Sequence, residues 1–127
     1  MNGFIKVLIV EDDLNMSFVL KEYLNDCGMK AKSTKSGEQA LKKKLDFDIV
    51  LVDLRLPGMD GEKFIKKAHK KNKNLKFIII TGALDYEITE QIKNKKFVSN
   101  KVFKKPISHL KNLKDEIYKI INKVDEK

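Results

Sequence analysis

Two rhythms of apolar residues alternate along this 127-residue chain. Short runs rich in β-branched side chains read as strands: Phe4 to Val10, Met29 to Ser33, Asp48 to Asp53, Lys76 to Thr81, and an edge run from Lys101 to Lys104. Between them, apolar positions recur at helical spacing. Val19, Leu20, Tyr23, Leu24 and Cys27 mark a helix from Leu14 that stops at Gly28. Ser36-Gly37-Glu38-Gln39 has the form of a capping box and opens a second helix through Ala40, Leu41 and Leu45. After a Pro57-Gly58 turn, Asp60 caps a third helix carrying Phe64, Ile65 and Ala68. A fourth is expected from about Asp85 to Lys95, and Pro106 opens a last one through Leu110, Leu113, Ile117, Ile120 and Ile121.

Five βα units in a row predict an α/β protein, a (βα)5 doubly wound parallel sheet with helices on both faces and right-handed crossovers. Asp48-Ile49-Val50-Leu51-Val52-Asp53 is nearly continuous in apolar side chains, as a central strand buried on both faces should be. No linker, repeat or low-complexity segment divides the chain, so residues 1–127 are expected to form a single domain. A hydrophobic fraction of 42% argues against disorder, and a single cysteine rules out a disulfide framework or a Cys-based zinc site. There is no secretory signal and no apolar run near the roughly 20 residues of a membrane span, so a cytoplasmic setting is expected.

The net charge of +9 raises nucleic acid as a ligand. All but one of the 27 basic residues are lysine, however, and Arg55 is the only arginine. Arginine is the preferred fork for base edges and bidentate phosphate contacts, and no nucleic-acid-binding motif is present. The lysines read as a solvated surface, and no direct nucleic-acid binding is expected.

In an open parallel sheet, ligands bind outside the carboxyl ends of the strands. There the first strand runs into Glu11-Asp12-Asp13, the third ends in Asp53, the fourth in Thr81, and the fifth runs into Lys105-Pro106. Clustered carboxylates repel unless a cation joins them, and an oxygen-only set points to Mg²⁺. Metal, ammonium and hydroxyl together form a cradle for a phosphoryl group, and Asp53 is a candidate nucleophile for an aspartyl-phosphate. The bland alternative is that these acids are helix caps and strand-end polar residues, which suits Asp13 and Asp60 best.

These residues resemble the receiver domain of bacterial two-component response regulators. Val7-Leu8-Ile9-Val10-Glu11-Asp12-Asp13 is similar to the family's acidic first-strand motif, and Val50 to Gly61 to its phosphoacceptor strand and loop. Ile78-Ile79-Ile80-Thr81-Gly82 resembles the switch-threonine segment, and Lys104-Lys105-Pro106 the Lys-Pro motif. The resemblance implies the flavodoxin-like receiver fold with strand order 2-1-3-4-5. It implies that Asp53 accepts phosphate from a phosphohistidine on a sensor histidine kinase or phosphotransfer protein. Asp12 and Asp53 would ligate Mg²⁺ with the backbone carbonyl of Arg55, Glu11 would act through water, and Thr81 and Lys105 would bind the phosphoryl oxygens. A register one residue later, Asp12 with Asp13, is the alternative for the acidic pair. Gly82 fits the need for a small residue beside the site.

Three positions depart from the family pattern. Val102 stands where the family usually carries Tyr or Phe, three residues before its lysine. Phe103 is adjacent, but strand alternation puts neighbours on opposite faces, so it does not simply substitute. The segment Phe97-Val98-Ser99 replaces a Gly flanked by small residues, and Lys93, Lys95, Lys96, Lys101 and Lys104 crowd a region the family uses for output contacts or dimerisation. His69 and His109 read as exposed helical histidines and Cys27 as a core thiol.

The expected function is a phosphorylation-dependent signalling switch rather than an enzyme, either stand-alone or part of a longer regulator. Three alternatives stand beside it: a receiver-fold interaction module that switches poorly or without phosphate, a Mg²⁺-dependent phosphatase, and a nucleic-acid binder. The phosphatase reading lacks the Asp-x-Asp pattern of aspartate-nucleophile phosphatases, because position 55 is arginine.

Overall fold

The computed structural model describes residues 4–82, 89–90 and 92–122. Among these the elements are β1 (Lys6–Val10), α1 (Leu14–Asp26), β2 (Lys30–Thr34), α2 (Gly37–Lys42), β3 (Ile49–Asp53), α3 (Gly61–Lys71), β4 (Lys76–Thr81), β5 (Phe103–Lys104) and α4 (Leu110–Asn122). The strands pair in parallel, in the order β2-β1-β3-β4-β5. That is the doubly wound flavodoxin-like arrangement predicted from the alternation of strand and helix patterns.

The two-residue period of the strands sorts their side chains onto two cores. Leu8, Val10, Val50, Val52, Phe77 and Ile79 pack with Ala40 of α2 and with Phe64, Ile65 and Ala68 of α3. Val7, Ile9, Ile49, Leu51, Ile78 and Ile80 pack with Leu20 and Leu24 of α1 and with Leu113, Ile117 and Ile120 of α4. With helices on both sides, every residue of β3 is buried.

Several predicted boundaries move. α2 stops at Lys42 because Lys43 turns to extended backbone, and Leu45 reaches the core from the loop that follows. α4 begins at Leu110, not Pro106. The segment from Pro106 to His109 lies outside the helix and delivers half-buried Ile107 onto the α1–α4 core before the helix starts. The expected helix from Asp85 to Lys95 falls partly outside the described residues. Of its described part, residues 92–94 are turns, with the Lys93 amide bonded to the Thr89 carbonyl.

The last strand is shorter than expected, covering only Phe103 and Lys104 opposite Ile80 and Thr81. The preceding Phe97–Ser99 segment joins the same edge through a separate parallel bridge, Phe77 to Val98. His69 is not simply exposed: it is half-buried on α3, its ring stacked on Phe97 at 3.6 Å. Cys27 is half-buried at the C-cap of α1 and lies outside both cores.

Candidate functional site

The site is assembled where β1, β3 and β4 end together. Glu11 follows β1 and is buried, its amide bonded to the Thr34 carbonyl at the end of β2. Asp53, the last residue of β3, lies opposite Ile80 and is also buried. Thr81 ends β4 with no exposed surface. Asp12 faces solvent beside these buried groups.

Three elements orient the carboxylates. One Asp53 oxygen, Oδ1, accepts the Arg55 amide at 3.0 Å, and the other, Oδ2, accepts Lys105 Nζ at 2.9 Å. The same ammonium donates to Glu11 Oε1 at 2.8 Å, while Glu11 Oε2 accepts the Asp13 amide. Lys105 is carried in by the edge strand, and its own amide donates to the Thr81 carbonyl at 2.8 Å. A lysine 94 positions away from Glu11 therefore bridges two buried carboxylates.

The titration of the pair follows from this. Burial raises Glu11 above the usual carboxylate range, and the Lys105 hydrogen bond only partly offsets that. Burial alone would lower Lys105, but its hydrogen bonds to Glu11 and Asp53, and their charges, outweigh that and raise it. The ammonium is thus held charged between two groups that need a cation.

One oxygen from each of Glu11, Asp12 and Asp53 falls within 4.8 Å of the others. Octahedral Mg²⁺ with metal–oxygen distances near 2.1 Å spans neighbouring oxygens of about 3 Å and opposite ones of about 4 Å, so small side-chain movements bring this set together. All its donors are oxygen, as a hard cation prefers. Asp13 serves elsewhere, capping α1 with its Oδ1, which accepts the amides of Asn15 and Met16. Among the described residues, the carboxylates that gather are Glu11, Asp12 and Asp53, and Asp13 is not among them. Asp60 likewise caps α3 through the Lys63 amide.

The loop after Asp53 is locked from below. A Cβ at Gly61 would lie 2.7 Å from Leu54 Cα and 2.8 Å from the Asp53 carbonyl oxygen, so α3 can approach the strand this closely only with glycine there. Among the described residues, a Cβ at Gly82 would meet nothing within 4 Å.

Sequence reasoning did not single out Glu38, whose carboxylate reaches the Met59 amide. Nor did it find the Ser99 hydroxyl donating to Glu116 at 2.6 Å, which ties the edge segment to α4. Leu14 and Phe18, 63% and 60% exposed on α1, also escaped it. Their helical spacing resembles that of core residues, and only the position of α1 on the sheet reveals that they face outward. Phe103 is buried in the α1–α4 core while half-buried Val102 packs against the opposite one, as strand alternation requires.

A family model, the response regulator receiver domain, matches residues 7–118. Sporulation initiation phosphotransferase F of Bacillus subtilis is 32% identical over 90 residues, spanning 69% of this chain and 73% of that protein. A cyclic di-GMP phosphodiesterase of Thermotoga maritima is 34% identical over 85 residues, 67% of this chain but only 23% of that protein. Among solved structures, the response regulator protein TrrA from Thermotoga maritima, in complex with Mg²⁺-BeF, superposes with a TM-score of 0.79 at 27% identity, covering 92% of this chain and 99% of that one. A CheY-like receiver domain from Methanospirillum hungatei gives 0.81 at 25% identity, covering 94% and 95%. With its fold, its acidic cluster and its order of motifs in agreement, the chain belongs to the family of response regulator receiver domains.

Proposed function

We propose that the chain is the phosphorylation-dependent switch of a two-component pathway, with Asp53 as phosphoacceptor. The observation that carries this reading is the Asp53 carboxylate itself. It stands at the end of the central strand, oriented by the Arg55 amide and neutralised by Lys105, with Glu11 and Asp12 close by. In the transfer, an Asp53 oxygen forms a bond to phosphorus while the bond to a histidine nitrogen of the donor breaks, leaving the donor imidazole to take up a proton.

Asp12, Asp53 and the Arg55 carbonyl would hold Mg²⁺, with Glu11 acting through water. The ion supplies charge neutralisation for the incoming phosphoryl oxygens. Lys105 pairs with one of those oxygens, and the Thr81 hydroxyl donates to another. The donor is a sensor histidine kinase or phosphotransfer protein. Exposed Leu14, next to the α1 cap, and exposed Phe18, one turn further along the helix, offer it an apolar contact. With Val102 at the usual aromatic position and Phe103 held in the core, switching runs through Thr81 and the loops without an aromatic turning inward at 102.

The domain's chemistry is limited to its own phosphorylation and dephosphorylation, and its expected setting is cytoplasmic. No described helix is long and apolar enough to cross a membrane. The test is incubation with Mg²⁺ and a small phosphodonor, followed by mass measurement. One added phosphoryl group per chain is expected, absent in Asp53→Asn and without Mg²⁺. No addition to the wild-type protein overturns the proposal.

A further inference from the structure

The loop from Leu54 to Asp60 carries the Arg55 carbonyl, and its two ends are secured at the site. The Arg55 amide binds Asp53, and the Gly61 amide donates to the Leu54 carbonyl at 3.2 Å. The tip is held from another element. Glu38, in the first turn of α2, accepts the Met59 amide at 3.0 Å across 21 residues of sequence. Its carboxylate also covers Gly58, where a Cβ would lie 2.5 Å from Glu38 Oε2. Gly58 has φ +75°, a backbone conformation that favours glycine there.

The helix turn that carries exposed Glu38 is well anchored. A Cβ at Gly37 would sit 3.2 Å from Phe64 Cβ, which marks how closely α2 and α3 pack at this point. The capping of α2 does not involve Glu38: the Ser36 hydroxyl accepts the Gln39 amide, and the Gln39 side chain accepts the Lys35 amide. The Glu38 carboxylate is thus directed away from its own helix and onto the loop. On the other side of the bond, Met59 packs against the α2–α3 core, so neither partner is carried by a freely moving segment.

We infer that Glu38 is a positioning residue for the Asp53 site. By clasping the loop tip at Gly58 and Met59, it sets the path of residues 54–60 and hence the place of the Arg55 carbonyl. This rests on the reading of Asp53 and Arg55 as Mg²⁺ ligands. A hydrogen bond rather than a charge is the active element, so glutamine, which keeps an accepting oxygen at the same reach, preserves it.

The experiment compares wild type, Glu38→Gln and Glu38→Ala in the full chain. Mg²⁺ affinity is read from the amide shift of Arg55, loop opening from hydrogen exchange at the Met59 amide, and phosphorylation rate at subsaturating Mg²⁺. In Glu38→Ala, Met59 exchange rises, and Mg²⁺ affinity and phosphorylation rate fall about three- to tenfold while the melting temperature stays close to wild type. Glu38→Gln stays near wild type in all three. If wild type binds Mg²⁺ and Glu38→Ala matches it in affinity and exchange, the inference is wrong. Equal losses in both variants assign the effect to charge and also overturn it. A wild-type protein that binds no Mg²⁺ removes the site reading itself, an outcome distinct from the other two.

Discussion

The two sides of the Asp53 site are built differently. On the β3 side, five buried residues of a central strand lead into a loop fastened by the Arg55, Met59 and Gly61 amides. On the β5 side, a two-residue strand at the sheet edge delivers Lys105. That edge is held by the Lys105–Thr81 backbone bond, the Phe77–Val98 bridge, the His69–Phe97 stack and the Ser99–Glu116 hydrogen bond. The central half is positioned by burial on both faces. The edge half has only this short pairing and those separate ties, and it adds two ion pairs from Lys105 to buried Glu11 and Asp53. The two walls of the site therefore differ in how much buried structure supports them.

If the edge depends on its cation, removing the cation should have the largest effect. Lys105→Met leaves Glu11 and Asp53 buried side by side without a counter-charge, and a loss of about 3 kcal/mol is expected in urea unfolding at neutral pH. Millimolar Mg²⁺ should recover more stability in this variant than in wild type, since ligand binding stabilises the folded state by mass action. Equal gains in both proteins would count against the acidic cluster as the cation site.

The central side is probed by Gly61→Ala. The added methyl meets Leu54 Cα and the Asp53 carbonyl, which are backbone atoms, so the loop has to shift. A cost of about 2 kcal/mol is expected, together with moved amide resonances at Leu54 and Arg55. An unchanged unfolding midpoint would show that this wall yields more readily than the packing implies.

The smallest effect concerns the edge stack. Burial, then the charges of Lys73 and Lys76, hold the His69 imidazole below the usual histidine value of about 6.5. The unfolded chain therefore takes up the proton first as pH falls. The His69 contribution is intact above pH 6.5 and declines through that value toward the lower folded one. A slight fall in unfolding midpoint is expected over that window, absent in His69→Gln, and an NMR titration of His69 should give a midpoint below 6.5.

Much of this protein was legible in the chain because its signals are local. β-branched runs and helical spacing set the order of strands and helices, and parallel α/β topology sends Glu11, Asp12, Asp53, Thr81 and Lys105 to one end of the sheet. The cap role expected of Asp13 also follows from local sequence, and the structure shows its Oδ1 accepting the Asn15 and Met16 amides. The start of α4 at Leu110, the stacked His69 and the loop-directed Glu38 depend on partners distant in sequence, and periodicity carries no record of those. Composition pointed to a basic protein. Packing decided that a single lysine just past the shortest strand would lie between two buried acids, because burying those carboxylates without a cation is too costly to persist.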